Sequence, residues 1–192
     1  ETKDVLSLKG EAYFFRAYSY FDLLQLYGDV IITKKPLDIT DPEMKVKRND
    51  RSEVVDLIID DLNHAVENLP AFKELTTEEE GRISKEGAQA FLSRVALYEG
   101  TWQKSRNGNQ NTQRSANLLD IAAKAARTVI DAKYGYTFRL FGTDSETKIL
   151  GDSAQKYMFI LENEKSNPAG IKKSSNHEYI FARRHDQVLA SI

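Results

Sequence analysis

The sequence predicts an all-α fold of antiparallel helix pairs joined by long connecting loops, with one minor short strand near the C-terminus. Apolar residues recur at spacings of three and four in several long segments, which is the period of an amphipathic helix. Polar stretches with glycine, proline and asparagine separate these segments. The 192 residues are 41% hydrophobic, which is enough for a real core. We therefore expect a single domain.

The first predicted helix covers residues 4–28, and residues 10–28 hold seven of the nineteen aromatic rings. At 100° per residue, one arc of roughly 160° collects most of its apolar side chains: Tyr13, Phe14, Ala17, Tyr18, Tyr20, Phe21 and Leu24. More apolar residues lie on the remaining side: Phe15, Leu23, Leu26 and Tyr27. We expect neighbours to cover this helix on more than one side. Asp4 is a candidate cap, and Gly28 suits a left-handed end.

The second predicted helix, 51–69, begins at a capping box of Asp50 and Glu53 and stops at Pro70. Its apolar stripe contains Val54, Ile58, Leu62, Ala65 and Leu69. The opposite side is acidic, with Glu53, Asp56, Asp60 and Glu67. We interpret this side as a solvated face rather than a metal or catalytic site.

The next two helices are predicted over 84–102 and 115–133. The apolar stripe of the third contains Ala88, Phe91, Val95, Tyr98 and Trp102. The stripe of the fourth contains Leu118, Ala122, Ala125, Val129 and Ala132. Small alanine side chains allow a neighbouring helix to come close, so we expect a tightly packed antiparallel pair.

The remaining segments are shorter or irregular. Residues 153–165 predict a fifth helix, and EYIFARR alternates like a brief strand. The second, third and fourth helices begin near 51, 84 and 117, so the pairing resembles tetratricopeptide repeats, although the connections are too long for a plain array. The long connections, 29–50, 71–83 and 103–114, are either functional excursions or mobile surface.

Composition and motifs exclude several classes of function. A formal net charge of −2 argues against nucleic-acid binding driven by phosphate contacts. The absence of cysteine removes thiolate chemistry, and His64, His177 and His185 do not fall at metal-ligand spacing. The sequence contains no nucleophile elbow, zinc-protease motif or phosphate-binding glycine loop. These patterns argue against a hydrolase, and we expect no metal and no cofactor.

The candidate ligand-binding residues surround the single tryptophan. Trp102 precedes the polar stretch QKSRNGNQNTQR, whose Asn107 and Asn109 could donate hydrogen bonds to sugar hydroxyls beside a stacking ring. Trp102 also continues the apolar stripe of its helix, so packing is the alternative role. Arg16 lies among rings, and we expect it to be an internal structural tie.

Five segments in order resemble the SusD/RagB family. GEAYFFRAYSYFDLLQLYGDVIIT is similar to the family's signature helix, G-E-A-x-F-L-R-A-x-x-Y-F-x-L-x-x-x-Y-G-x-V-P. RSEVVDLIIDDLNHAVENLP, GRISKEGAQAFLSRVALYEGTW, AAKAARTVID and NHEYIFARR follow in the family's order. Ile31 stands where the family's usual proline would be. Family members are several hundred residues long, so the resemblance implies that residues 1–192 are a partial domain, the helical middle of a longer chain.

The resemblance implies a non-enzymatic lipoprotein on the extracellular face of the outer membrane, of the Bacteroidetes type. Such a protein acts as the lid of a SusC-like TonB-dependent β-barrel transporter and captures oligosaccharides or peptides. It implies a lipid anchor outside this chain as the only membrane attachment. Two alternatives remain: a helical adaptor for protein partners without a small-molecule ligand, and a carbohydrate-active enzyme whose catalytic residues lie elsewhere.

Overall fold

A computed structural model describes residues 2–76, 79, 81–106, 112–161 and 163–181. The described residues form five α-helices: α1 Lys3–Tyr27, α2 Arg51–Asn68, α3 Lys85–Arg106, α4 Thr112–Ile130 and α5 Ala154–Met158. Short 3-10 turns lie at Pro42–Lys45, Phe72–Glu74, Lys148–Ser153 and Lys173–Ser175. The all-α prediction is confirmed, and the bounds of the four long helices lie close to the predicted ones. None of the described helices combines the length and the apolarity that crossing a bilayer requires.

Successive long helices run antiparallel. Gly10 near the start of α1 meets Leu69 just after the end of α2. Arg51 at the start of α2 pairs with Glu99 toward the end of α3. Ser115 near the start of α4 donates to the Gly100 carbonyl of α3 at 2.7 Å.

The main core lies between α1, α2 and α3, and Leu118 and Ala125 of α4 also contribute to it. Its buried members include Phe14, Phe21, Leu24, Val54, Ile58, Leu62, Leu92, Val95 and Leu118. Phe91 of α3 contacts both Phe14 and Phe21 of α1, with ring centroids 5.5 Å apart in each pair. Because α2 and α3 both contact α1, the aromatic side chains of α1 form part of a three-helix core.

Only one side of α1 is covered within the described residues, which corrects the expectation of cover on more than one side. Phe14, Ala17, Phe21 and Leu24 are almost fully buried, whereas Leu26 on the opposite side is 74% exposed. The physical reason is that α2 and α3 lie on the same side of α1.

The predicted N-terminal cap is confirmed for α2 but is wrong for α1. Asp50 and Glu53 form the predicted capping box. Thr2, rather than Asp4, caps α1, and its hydroxyl accepts from Val5 N at 3.4 Å. Gly28 follows α1 with a positive φ of 71°.

The loop between α1 and α2 is fixed at its base. Val30 and Asn49 form an antiparallel bridge, in which Asn49 N donates to Val30 O at 2.9 Å. The Tyr20 hydroxyl accepts from Thr33 N at 2.7 Å. These contacts hold the two ends of the 29–50 loop together and attach the loop to α1.

The fifth helix is predicted over 153–165, but α5 is much shorter and ends at Met158. Asn163 and Asn167 side chains accept from nearby backbone amides, at 2.8 Å from Lys165 N and 2.9 Å from Ile171 N. Such local bonds compete with helical ones and favour turns. Leu161 still reaches a second small core, which also contains Phe141, Leu150, Ala154 and Ile171.

The predicted strand in EYIFARR is not a strand in its described part, residues 178–181, and the remainder lies outside the described residues. The backbone of the preceding His177 accepts once, from Arg139 N at 3.1 Å. The carboxylate of Glu178 then accepts from Phe141 N at 2.9 Å. Phe141 N thus bonds to a side chain rather than to a backbone carbonyl. The regular backbone pairing of two strands therefore does not continue here.

Candidate ligand-binding surfaces

Trp102 lies on α3 beneath two guanidinium groups. The Cζ atoms of Arg51 and Arg106 are 4.3 Å and 4.9 Å from its ring centroid. The ring of Tyr98, one turn earlier, is tilted from it by only 24°, with centroids 6.3 Å apart. Cations placed over an indole face are attracted by its negative quadrupole, so this arrangement stabilises the helix contact and occupies ring surface that a sugar would need. The geometry favours packing over ligand contact for Trp102.

A buried ion pair beside Trp102 connects three helices. Arg51 Nε donates to Glu99 Oε2 at 2.9 Å, and the Glu99 side chain is 0% exposed. Gln103 Nε2 donates to the other carboxylate oxygen at 2.6 Å, and Arg51 Nη1 reaches the Leu24 carbonyl of α1 at 3.4 Å. The sequence prediction missed this pair. The available signal was a charged residue, Glu99, four residues after Val95 in an apolar stripe.

Asn107 and Asn109, the other two candidates, lie outside the described residues. Helices α3 and α4 extend to Arg106 and from Thr112, so they occupy most of the predicted loop 103–114. A ligand role for these two asparagines stays a prediction.

Arg16 forms the expected internal tie. Its Nε and Nη2 donate to the two carboxylate oxygens of Asp61 at 2.7 Å and 2.6 Å, and Asp61 is fully buried. These hydrogen bonds raise the pKa of Arg16 above its usual value, outweighing the opposing effect of burial. The pair fixes α1 against α2 and leaves this guanidinium engaged.

A polar groove of about 930 Å³ lies between the α1–α2 loop and the acidic face of α2. Charged side chains line it from both sides: Lys34, Lys35, Glu43, Glu53, Asp56 and Asp60. Several are already paired, since Lys35 contacts Glu43 at 2.9 Å and Asp56 accepts from Arg114 at 2.7 Å. The residues that line the groove include carboxylates and an amide but no aromatic ring.

No cluster of three or more metal-ligating side chains occurs among the residues that the structure describes. His64 is flanked by Glu67 at 3.3 Å and Asp60 at 3.8 Å on its own helix. The Nδ1 atom of His177 lies 2.6 Å from the Tyr136 hydroxyl. His185 lies outside the described residues.

The sequence pattern of one known protein family, described as SusD-like, starch-binding associating with outer membrane, matches residues 1–97. This match spans just over half of the chain and contains α1, α2 and the first half of α3. The chain belongs to the SusD-like family. The matched residues therefore lie in the packed helices described above, in which the Arg16–Asp61 pair joins α1 to α2.

Individual relatives agree with this assignment of the SusD-like chain. It is 27% identical over 179 residues to SusD-like protein P2 of Formosa agariphila, covering 91% of this chain and 33% of that protein. It is 36% identical over 90 residues to SusD-like protein P38 of the same organism, covering 46% of this chain and 17% of that protein. The SusD-like chain thus spans a third or less of the length of these relatives.

Solved structures share the fold. A SusD-like protein from Bacteroides fragilis aligns with 97% of this chain and 28% of its own, with a TM-score of 0.66 and 26% identity. A laminarin-binding SusD-like protein aligns with 80% of this chain and 30% of its own, with a TM-score of 0.56 and 25% identity. The helical layer of the SusD-like chain is therefore a shared architecture.

Proposed function

We propose that this chain is the helical scaffold of a surface glycan-binding protein that captures oligosaccharides without breaking bonds. The observation that carries the proposal is the family match over residues 1–97, in a family described as starch-binding and associated with the outer membrane. The similarity to a laminarin-binding SusD-like protein supports a glycan rather than a peptide as cargo.

The described geometry suits a scaffold. Two buried carboxylates, Asp61 and Glu99, each receive an arginine from a neighbouring helix. Truncating one partner of such a pair leaves an uncompensated charge, so the helices are held in one arrangement. A rigid body with protruding loops is what a lid needs if it is to open and close as a unit.

The glycan contacts of the whole protein are proposed to lie mainly outside this scaffold. Among the described residues, the groove beside α2 has polar groups without a ring, and Trp102 has a ring already covered by guanidinium groups. Sugar recognition combines a stacking face with hydrogen-bonding groups, and neither surface supplies both.

The partner in this proposal is a SusC-like TonB-dependent barrel, over which the lipid-anchored protein sits on the extracellular face of the outer membrane. Affinity purification of the full-length protein from detergent-solubilised outer membranes should bring down a large β-barrel protein. A soluble protein as the only specific partner would support a helical adaptor instead and would contradict the proposal.

Calorimetry on the full-length protein tests the cargo. Titration with panels of oligosaccharides and of short peptides should show binding of an oligosaccharide. Chromatography of the same mixtures should recover the sugar intact. Binding of peptides alone would contradict the glycan proposal, and appearance of shorter sugars would identify an enzyme.

A further inference from the structure

A small pocket lies where α2 ends, α3 begins and the turn after α4 comes close to both. Its volume is about 340 Å³, near the lower bound for ligand pockets of roughly 300 Å³. Lysines from three segments line it: Lys73 after α2, Lys85 at the start of α3 and Lys133 after α4. We call this site the lysine pocket, and its other lining residues are Ala71, Glu74, Ala132, Tyr134 and Gly135. Three cations and one carboxylate therefore share one small space.

The lysine charges are not neutralised within the part of the chain that the structure describes. The side chains of Lys73 and Lys133 form no hydrogen bond or ion pair there. Lys85 Nζ contacts only the backbone carbonyl of Glu67, at 3.4 Å. The acidic lining residue, Glu74, accepts from a backbone amide of its own turn at 3.1 Å and pairs with none of the lysines. Because like charges that share a pocket repel one another, an anion placed between them is stabilised.

Gly135 allows the ammonium group of Lys73 to enter this space. The φ angle of Gly135 is 85°, a left-handed conformation that glycine adopts without strain. A Cβ atom at this position would collide with Lys73 Nζ. The Lys73 ammonium therefore lies against the turn after α4, which also carries Lys133 and Tyr134.

The lysines do not cap the C-terminus of α4, which is the usual structural role of a cation at such a place. Three carbonyls of its last turn, those of Arg127, Thr128 and Val129, accept from the backbone amides of residues 131–133 at distances between 2.8 and 3.1 Å. Lys73 and Lys133 are also exposed, so packing does not account for their positions. Their ammonium groups are thus available to a ligand.

Tyr134 adds a neutral donor to the lysine pocket. Its hydroxyl has no hydrogen-bond partner among the described residues. Burial, followed by the charge of Glu86, raises the pKa of Tyr134 above its usual value. The hydroxyl therefore stays protonated at neutral pH and can donate to an anion. The Glu86 carboxylate is itself only 1% exposed, accepts from Phe72 N at 2.7 Å and does not line the pocket.

We propose that the lysine pocket binds an oxyanion group, a carboxylate or a sulfate, with the ammonium groups of Lys73 and Lys133 and the hydroxyl of Tyr134 as donors. Hydrogen bonds from an ammonium to an ionised oxygen are about twice as strong as those between neutral groups. The oxyanion is either a free inorganic ion or the charged substituent of an acidic sugar. This inference does not depend on the glycan cargo proposed above.

Calorimetric titration of the full-length protein at constant ionic strength tests the proposal. The probes are sodium sulfate, sodium glucuronate and, as a neutral control, glucose. We expect sulfate or glucuronate to bind, and we expect Lys73→Gln and Lys133→Gln each to weaken that binding about tenfold, because each removes one charge-assisted hydrogen bond. Tyr134→Phe removes a donor without changing the charge and should weaken binding by about threefold.

The matched control is Lys148→Gln, which removes the same charge at an exposed lysine that does not line the pocket. This variant should bind the anions as the parent does, and circular dichroism checks that every variant is folded. Tighter binding of glucuronate than of sulfate would support the proposal with an acidic sugar as the source, and the reverse order would support it with an inorganic ion.

Three results would overturn the proposal. The first is that neither anion binds. The second is that the two pocket variants, Lys73→Gln and Lys133→Gln, bind the anions as well as Lys148→Gln does, because the anion then lies elsewhere. The third is that glucose also binds and that the pocket variants weaken its binding equally, because the pocket then recognises hydroxyl groups rather than charge.

Discussion

Arg51, in the first turn of α2, donates to the buried carboxylate of Glu99 on α3 at 2.9 Å while its guanidinium lies over Trp102. One side chain thereby satisfies a buried charge and covers an aromatic face. The same guanidinium reaches the Leu24 carbonyl near the end of α1. Arg51 thus connects α1, α2 and α3 through hydrogen bonds to a buried carboxylate and a backbone carbonyl.

We predict that Glu99→Ala lowers the free energy of unfolding of the full-length protein by about 3–5 kcal/mol, because the Arg51 guanidinium, only 15% exposed, is left without its counter-charge. Urea unfolding followed by circular dichroism measures the change. The double variant Arg51→Met, Glu99→Leu should recover much of the loss, since an apolar pair leaves no uncompensated charge.

The exposed pair of Asp120 and Lys124 provides the control for that experiment. Asp120→Ala should change the free energy of unfolding by at most about 1 kcal/mol, as expected for a surface ion pair. A Glu99→Ala loss no larger than this control would show that the buried pair does not hold the layer together.

Gly10→Ala should weaken the contact between α1 and α2. An added Cβ would lie 2.9 Å from Leu69 Cγ and 3.0 Å from Leu69 N, closer than packed atoms tolerate. Overpacking costs about 1–3 kcal/mol, and the higher helix propensity of alanine returns at most about 1 kcal/mol. We therefore expect a net loss of up to about 2 kcal/mol in urea unfolding.

The exposed substitution Ala116→Gly on α4 measures helix propensity alone and should cost about 1 kcal/mol. If Gly10→Ala instead stabilised the protein by a similar amount, the close approach of α1 to Leu69 would be refuted.

Asp144 should make stability depend on pH in the acidic range. Burial is the largest influence and raises the pKa of its carboxyl, but donation from Thr147 N and Oγ1 and from Glu146 N, with the charge of His177, holds the pKa below its usual value. The carboxylate therefore stabilises the fold above the ordinary aspartate pKa of about 3.9. That contribution is lost as the pH falls below this value and through the lower, folded-state pKa.

Thermal unfolding of the Asp144→Asn variant tests this dependence. The variant should have a lower Tm than the parent at pH 7, and the difference should shrink as the pH falls below about 4. Thr147→Val, which removes one donor, should reduce the pH-dependent part. A Tm difference that is constant with pH would exclude Asp144 as its source.

Trp102→Ala should lower stability and leave glycan affinity unchanged, because guanidinium groups already cover the ring. The measurements are urea unfolding and calorimetry of the full-length protein with its best oligosaccharide. Loss of affinity with unchanged stability would make Trp102 a ligand contact. The double variant Asn107→Ala, Asn109→Ala tests the remaining candidates, for which a ligand role requires weaker binding without loss of stability.

The sequence by itself determined the helices, because the three-and-four spacing of apolar residues and the Asp50–Glu53 capping box are local properties of the chain. It also determined the family, through motifs that occur in the family's order along the chain. It predicted that Arg16 is an internal structural tie. It could not show that the partner of Arg16 is the carboxylate of Asp61, 45 residues away.

Only the tertiary structure decided which faces are covered and where charges meet. Burial depends on neighbours distant in sequence, so the rings of α1 could not reveal that α2 and α3 cover the same side. The Arg51–Glu99 pair joins residues 48 apart. Residues 178–181, the described part of the predicted strand, are not a strand, and the Glu178 side chain is the acceptor for Phe141 N. Burial and ion pairing of this kind depend on contacts between distant segments of the chain. The spacing of residues within one segment does not reveal such contacts.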